Sequence, residues 1–166
     1  GAASTTVAVE IIPRVTGELD IYHRLPVDLT LRLAGEEGNL RAQVALEGKG
    51  TLDEEGTRHV EFLLQAPDMD DAGPFSEPDL YRLRYRDPRV GLRLGDQNYE
   101  LSRLTSSWSY GRGVGIDYHP PEQRGSVGGY FLNTRWGTPE REELGLYAGY
   151  RVNDKVSARL NFLREE

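Results

Sequence analysis

From position 80 onward the chain alternates between apolar and polar residues, and much of the polar half is arginine and glycine. In Tyr81-Arg82-Leu83-Arg84-Tyr85-Arg86 every second side chain is a guanidinium, the period of two that a β-strand imposes by turning successive side chains to opposite faces. Val90, Leu92 and Leu94 alternate with Gly91, Arg93 and Gly95, and Val114, Ile116 and Tyr118 with Gly113, Gly115 and Asp117. Further on, Leu144, Leu146, Ala148 and Tyr150 alternate with Gly145, Tyr147, Gly149 and Arg151, then Val156, Ala158, Leu160 and Phe162 with Ser157, Arg159, Asn161 and Leu163. Glycine weakens strands and gives a solvent face nothing to pack. So much of it on one face predicts a crowded polar interior, with the apolar face turned to lipid. The expected fold is all-β: an antiparallel up-and-down β-barrel segment of the outer-membrane type, located in a Gram-negative outer membrane.

Bulk composition narrows the function classes. Hydrophobic residues make up 37% of the 166, and no run approaches a spanning helix, which needs about 18 consecutive apolar residues. Barrel strands need only about 9 to 11 alternating residues each. A net charge of -7 argues against nucleic acid, because a phosphate backbone has to be met by excess Lys and Arg. With no cysteine, disulfides, thiolate catalysis and Cys-type zinc sites are all excluded. The start Gly1-Ala2-Ala3-Ser4 lacks the basic and apolar parts of a signal peptide, and the end Arg164-Glu165-Glu166 lacks the aromatic residue on which a barrel normally closes, so the chain is expected to be a fragment.

The clearest internal break is 67–78, with three prolines, a glycine and five acidic residues. It divides the chain into a β-rich part at 1–75, either a small β-sandwich or the first barrel strands, and barrel strands at 76–166. Strands are expected in the first part at 5–15, 18–25, 27–34, 40–47 and 58–65, with turns at 36–39 and 53–56. In the second part, tight turns at 86–89 and 152–155 contrast with longer polar connections at 98–110 and 137–143, an asymmetry that outer-membrane barrels show. Tyr85, Tyr118, Trp136 and Tyr150 fall near strand ends, where an aromatic girdle would lie.

Most of the chemical motifs have structural explanations. Gly111-Arg112-Gly113-Val114-Gly115 is followed by a strand and not by a helix, so it is a bend or bulge and not a dinucleotide loop. Ser106 to Gly111 lacks nucleophile-elbow spacing, and His23, His59 and His119 are scattered. Asp68, Asp70 and Asp71 lack the glycine and distal glutamate of an EF-hand and are taken as a solvated acidic linker. Asp96 and Asp117 offer paired acids for glycoside chemistry without supporting spacing. No catalytic residue, metal or cofactor is expected. Asp96 and Arg112, on neighbouring strands, could pair inside a lumen, the alternative being that both are exposed loop residues.

Leu92-Arg93-Leu94-Gly95-Asp96, then Tyr110-Gly111-Arg112-Gly113-Val114, then Gln123-Arg124-Gly125, resembles a barrel stretch of fimbrial outer-membrane ushers. That resemblance implies a channel passing folded pilus subunits. The expected role is passage or secretion of a substrate, or assembly of surface structures, with outer-membrane lipid and an exported protein or glycan as partners. Arg82, Arg84, Arg93, Asp96, Arg112, Arg135, Arg151 and Arg159 would line the lumen. The rival is a soluble extracellular β-sandwich module binding glycan or protein through Trp108, Tyr110 and Trp136, because a second sheet covering the apolar face gives the same alternation as lipid.

Overall fold

The computed structural model of the chain describes residues 3–10, 24–36, 39–67, 77–102, 109–121, 124–136 and 140–166. Among the described residues ten strands follow one another: β1 (Ala3–Glu10), β2 (Val27–Glu36), β3 (Asn39–Thr51), β4 (His59–Ala66), β5 (Leu80–Arg86), β6 (Val90–Tyr99), β7 (Ser109–Tyr118), β8 (Gly125–Thr134), β9 (Glu142–Asn153) and β10 (Val156–Glu165). Their order in the sheet is their order in the chain. The chain divides into two compact units, Gly1–Arg82 and Leu83–Glu166. The segments 11–23 and 68–76, with most of the expected strand at 18–25 and with Asp68, Asp70 and Asp71, lie outside the described residues.

The expected barrel is not formed. Among the described residues β1 pairs only with β2 and β10 only with β9, so the sheet is open. An open sheet keeps unpaired N–H and C=O groups along its edges, and hydrocarbon tolerates no such edge, which is why only helices and closed barrels span bilayers. The expectations that rest on closure fall with it: the usher-like barrel, the passage or secretion role, the outer-membrane location and the lipid partner. The first unit's described strands β1 to β4 are hydrogen-bonded neighbours in one sheet. No helix among the described residues is long and apolar enough to cross a membrane.

Local chemistry explains the tight turns. Between β5 and β6, Asp87 Oδ1 accepts hydrogen bonds from the backbone N–H groups of Arg89 and Val90, both at 2.7 Å. Between β9 and β10, Asn153 Oδ1 does the same for Lys155 and Val156, both at 2.9 Å. Short Asx side chains that satisfy the backbone in this way reverse a chain without help from tertiary contacts.

Register decides which residues share a face. In the second unit Arg93, Gly115, Tyr130, Gly145 and Leu163 stand in one row across β6 to β10, and Leu92, Ile116, Gly129, Leu146 and Phe162 in another row on the opposite face. The face carrying glycine and the polar groups is the packed one. Tyr99, Leu101, Tyr130 and Leu132 are buried on it, with Tyr147 and Leu163 packed against them, and Gln97 and Glu143 are buried as well. Glycine here is a slot for a neighbouring ring. A Cβ on Gly145 would stand 2.6 Å from the Tyr130 ring, and one on Gly128 would stand 2.7 Å from the Tyr147 ring. The opposite face is open, with Ile116 53%, Leu146 47%, Phe162 53% and Leu160 76% exposed.

The first unit repeats the arrangement. Gln43 is buried, accepts from Arg32 Nη1 at 3.2 Å and donates to the carbonyls of Pro67 and Glu77, each at 3.0 Å. Gln65 donates to Glu77 Oε2 at 3.2 Å and to the Pro78 carbonyl at 2.9 Å, and Arg32 and Glu77 form an ion pair. Leu31, Val44 and Leu64, on the other face, are exposed.

Candidate functional site

Three features of the second unit stand out: a carboxylate–guanidinium cluster, a polar chain and an exposed apolar face. The first lies at one end of the apolar face. Asp96 on β6 pairs with Arg112 on β7, and its carboxylate has no solvent exposure. It receives Arg112 Nε at 3.0 Å on Oδ1 and Arg112 Nη2 at 2.9 Å on Oδ2, a bidentate contact, while Arg135 Nη1 reaches Oδ2 at 2.9 Å. Charge-assisted forked contacts of this kind fix geometry as well as energy. Both guanidinium groups meet the same Asp96 carboxylate.

Beside it Tyr110 and Trp136 stack, their ring centroids 5.0 Å apart and their planes 9° from parallel. The Arg135 guanidinium carbon sits 5.3 Å from the Trp136 ring centroid, within cation–π range. The Arg135 N–H also donates to the Tyr110 carbonyl at 3.4 Å, extending the β7–β8 pairing by one residue. Trp136 has φ 68°, a left-handed conformation that bulky residues seldom adopt. It remains 64% exposed.

The second feature is a polar chain on the packed face. Arg93 Nη2 pairs with Asp117 Oδ2 at 3.2 Å, and Tyr147 donates its hydroxyl to Asp117 Oδ1 at 2.7 Å. Arg93 also lies over Tyr99, and Arg159 lies over Tyr147 at 4.0 Å. Burial, reinforced by the hydrogen bond to Asp117 and its negative charge, pushes the Tyr147 hydroxyl up to about 12. Burial also raises Tyr99, against the opposing effect of its contact with Gln97. The chain ties β6, β7, β9 and β10 together as scaffold for the sheet, with Arg93 Nε left buried and without a hydrogen-bond partner. The third feature is the exposed apolar face itself.

The residues expected to line a lumen therefore divide. Arg93, Arg151 and Arg159 fall on the packed face by register, Arg151 and Arg159 being largely solvent-exposed. Arg84 donates to Gln97 Oε1 at 2.6 Å, and Arg82 reaches Glu61 at 3.3 Å. Asp96, Arg112 and Arg135 come together at the opposite face, where Asp96 and Arg112 pair outside any lumen. Of the expected contact aromatics Tyr110 and Trp136 meet, and Trp108 lies outside the described residues. Asp96 and Asp117 bind different guanidinium groups on opposite faces and do not form a pair. Sequence reasoning passed over Gln43, Gln65, Gln97 and Glu143, which are buried. For Gln43, Gln97 and Glu143, a place on the side of the strand that also carries arginine or glycine was the available signal; β4 has neither residue, and Gln65 gave no such signal.

Among the described residues no group of three or more His, Cys, Asp or Glu is arranged to hold a metal ion. Comparison with protein-family models, with curated proteins and with solved structures gives no match to this chain.

Proposed function

We propose that the chain is a protein-binding β-sheet module without covalent chemistry, and that its second unit binds through the open apolar face of β6 to β10. One observation carries this reading. The three adjoining rows Leu94–Val114–Phe131–Leu144, Leu92–Ile116–Leu146–Phe162 and Val90–Tyr118–Val127–Leu160 run across β6 to β10, and Val114, Ile116, Tyr118, Val127, Phe131, Leu146, Leu160 and Phe162 are each at least 42% exposed. With strands about 4.8 Å apart and same-face rows about 6.8 Å apart, the patch measures roughly 20 Å by 20 Å, on the order of 400 Å² in projection. That is within the size at which exposed apolar patches are often functional. The row Asp96, Arg112, Asn133 and Glu142 borders it with both charge signs, giving the apolar centre and polar border that interfaces have.

The occupant we assign is a second copy of the chain. Two copies of one face match in size, and a two-fold axis can set the acidic groups of one border against the basic groups of the other. The product is a two-layer sandwich with the sheets about 10 Å apart. About 400 Å² per partner lies below the roughly 800 Å² per side of standard interfaces, so the expected dimer is of micromolar strength.

Sedimentation velocity of the full chain in detergent-free buffer tests this. The expected result is a monomer–dimer equilibrium over about 1–100 µM, shifted to monomer by Ile116→Lys with Leu146→Lys while the far-ultraviolet circular dichroism stays unchanged. A wild-type monomer at every concentration overturns the proposal. So does a chain that disperses only in detergent.

A further inference from the structure

We infer that the outer edge of β10 pairs antiparallel with β10 of a second copy, in the register centred on Phe162. This interface is separate from the apolar face, because it uses backbone groups in the plane of the sheet and not side chains above it. The β9 ladder shows which groups are available. Glu142 and Glu166 exchange both backbone hydrogen bonds, each at 3.0 Å, which makes them a hydrogen-bonded pair of an antiparallel ladder. The register runs without a shift from there to Ser157, so Arg164, Phe162, Leu160 and Ala158 also turn their N–H and C=O groups to β9. Ser157, Arg159, Asn161, Leu163 and Glu165 turn theirs the other way, where nothing among the described residues pairs with them. All of β10 except Asn161 and Leu163 is exposed. Proteins ordinarily blunt such an edge with proline, lysine or short length. β10 runs for 10 residues with neither proline nor lysine, and its one register shift lies at the Val156 end.

Side chains select the partner and the register. Only registers that set odd-numbered residues opposite odd-numbered ones join the outward groups, and two identical antiparallel strands paired in this way are related by a two-fold axis. With the axis at Phe162, Arg159 faces Glu165 of the second copy and Glu165 faces its Arg159, two opposite-charge pairs. Phe162 faces Phe162 of the second copy at a non-hydrogen-bonded position, where side chains stand closest. With the axis at Asn161 instead, Arg159 faces Leu163 and Glu165 faces Ser157; with the axis at Arg159, the guanidinium faces its own copy. Opposite charges and aromatic pairs directly across a ladder stabilise it, and like charges oppose it. Among the described residues Arg159 meets the Tyr147 ring at 4.0 Å and Asn161 Oδ1 at 3.2 Å, neither of them a carboxylate. The axis stands normal to the sheet, so both copies keep their apolar faces on the same side. A single strand pair is marginal by itself, and the edge is expected to associate at about 1 mM, above the range in which the apolar faces do.

Amide hydrogen exchange of the full chain carrying Ile116→Lys and Leu146→Lys, followed by nuclear magnetic resonance at about 0.02 mM and about 2 mM, tests the edge with the apolar face disabled. Protection of the Ala158, Leu160, Phe162 and Arg164 amides at both concentrations shows that β10 is docked on β9. Exchange at Arg159, Asn161, Leu163 and Glu165 is expected to slow at least about twofold at the higher concentration, the slowing that pairing at about 1 mM gives. Adding Glu165→Arg should abolish that slowing, and adding Arg159→Glu as well should restore it with the charges exchanged. Both residues lie on the side of the sheet away from the apolar face, so their effect reports the edge. The wild-type background should show the same loss and the same recovery. No concentration dependence at the four amides overturns the inference. So does slowing that Glu165→Arg leaves intact, which marks another register or another edge as the occupant, or slowing that the exchanged charges fail to restore. Because the apolar face is disabled in this chain, either result leaves the sedimentation test of the face-to-face dimer standing by itself.

Discussion

The slot that Gly145 leaves for Tyr130 lets the packing logic of this sheet be tested with one methyl group. Tyr130 is 3% exposed, its ring centroid lies 5.5 Å from that of Tyr99, and its hydroxyl donates to Glu143 Oε2 at 3.2 Å. A Cβ at Gly145 would meet Tyr130 Cε1 at 2.6 Å and Cζ at 2.8 Å, and Leu101 Cγ at 3.0 Å. The ring cannot move aside without loosening the Tyr99 contact and the Glu143 hydrogen bond together. Two effects oppose each other in Gly145→Ala. The alanine restricts the unfolded chain, which stabilises by about 0.4–1 kcal/mol. Overpacking of a tight core costs about 1–3 kcal/mol. The net expectation is destabilisation by about 1–2 kcal/mol, or a fall of a few degrees in Tm for a chain of this length.

Gly125→Ala is the control. Its nearest neighbour would be Pro120 Cγ at 3.6 Å, ordinary contact, and the substitution should be neutral or slightly stabilising. Urea unfolding followed by circular dichroism gives both midpoints. A double-mutant cycle with Tyr130→Leu isolates the ring itself: in that background Gly145→Ala should lose most of its cost, because the ring that filled the slot is gone. If Gly145→Ala is neutral in the wild-type background, or costs the same once Tyr130→Leu has removed the ring, glycine does not act as a slot.

Two further outcomes follow from the polar clusters. Asp96→Asn removes the charge that anchors Arg112 and Arg135, and because Arg135 is mostly buried while Arg112 can rehydrate, the expected loss is about 2–3 kcal/mol, below the 3–5 kcal/mol of a fully buried pair; urea midpoints check it, and a change under about 0.5 kcal/mol would refute it. Tyr147 is raised from an ordinary value of 10.0 to about 12 in the folded chain, so the folded state holds its proton more tightly than the unfolded state. The stability this contributes is fully present below pH 10 and is lost as pH rises towards 12; Tyr147→Phe should flatten that alkaline fall in thermal unfolding between those values.

The strands were readable because alternation is local. The period of two in Tyr81 to Arg86, Val90 to Gly95 and Val114 to Tyr118 follows from side-chain direction alone, and β2, β3 and β4 contain or closely match the expected 27–34, 40–47 and 58–65. Asp87 and Asn153 were equally local, each closing a turn with its own side chain. Closure was not local. Whether the first and last strands meet depends on curvature accumulated over the whole sheet, and lipid, a second sheet and open water all permit the same alternation. The site was legible in part. The Asp96–Arg112 pair could be foreseen from residue types on adjoining strands, but Arg135 reaches Asp96 only through the register of β7 on β8. Trp136 could be singled out as an aromatic, whereas its left-handed backbone could not, since the residue that ordinarily takes such a conformation is the glycine beside it in the sequence.

The match between strand order and chain order has a kinetic consequence. Within each unit every pairing joins a strand to the one made just before or after it, so no ladder needs two distant stretches of chain to find one another. Greek-key sandwiches have to close long loops before their cores form; this meander can zip up hairpin by hairpin, each new strand docking on a template already laid down. Its contact order is low for an all-β chain, and its folding should be correspondingly fast.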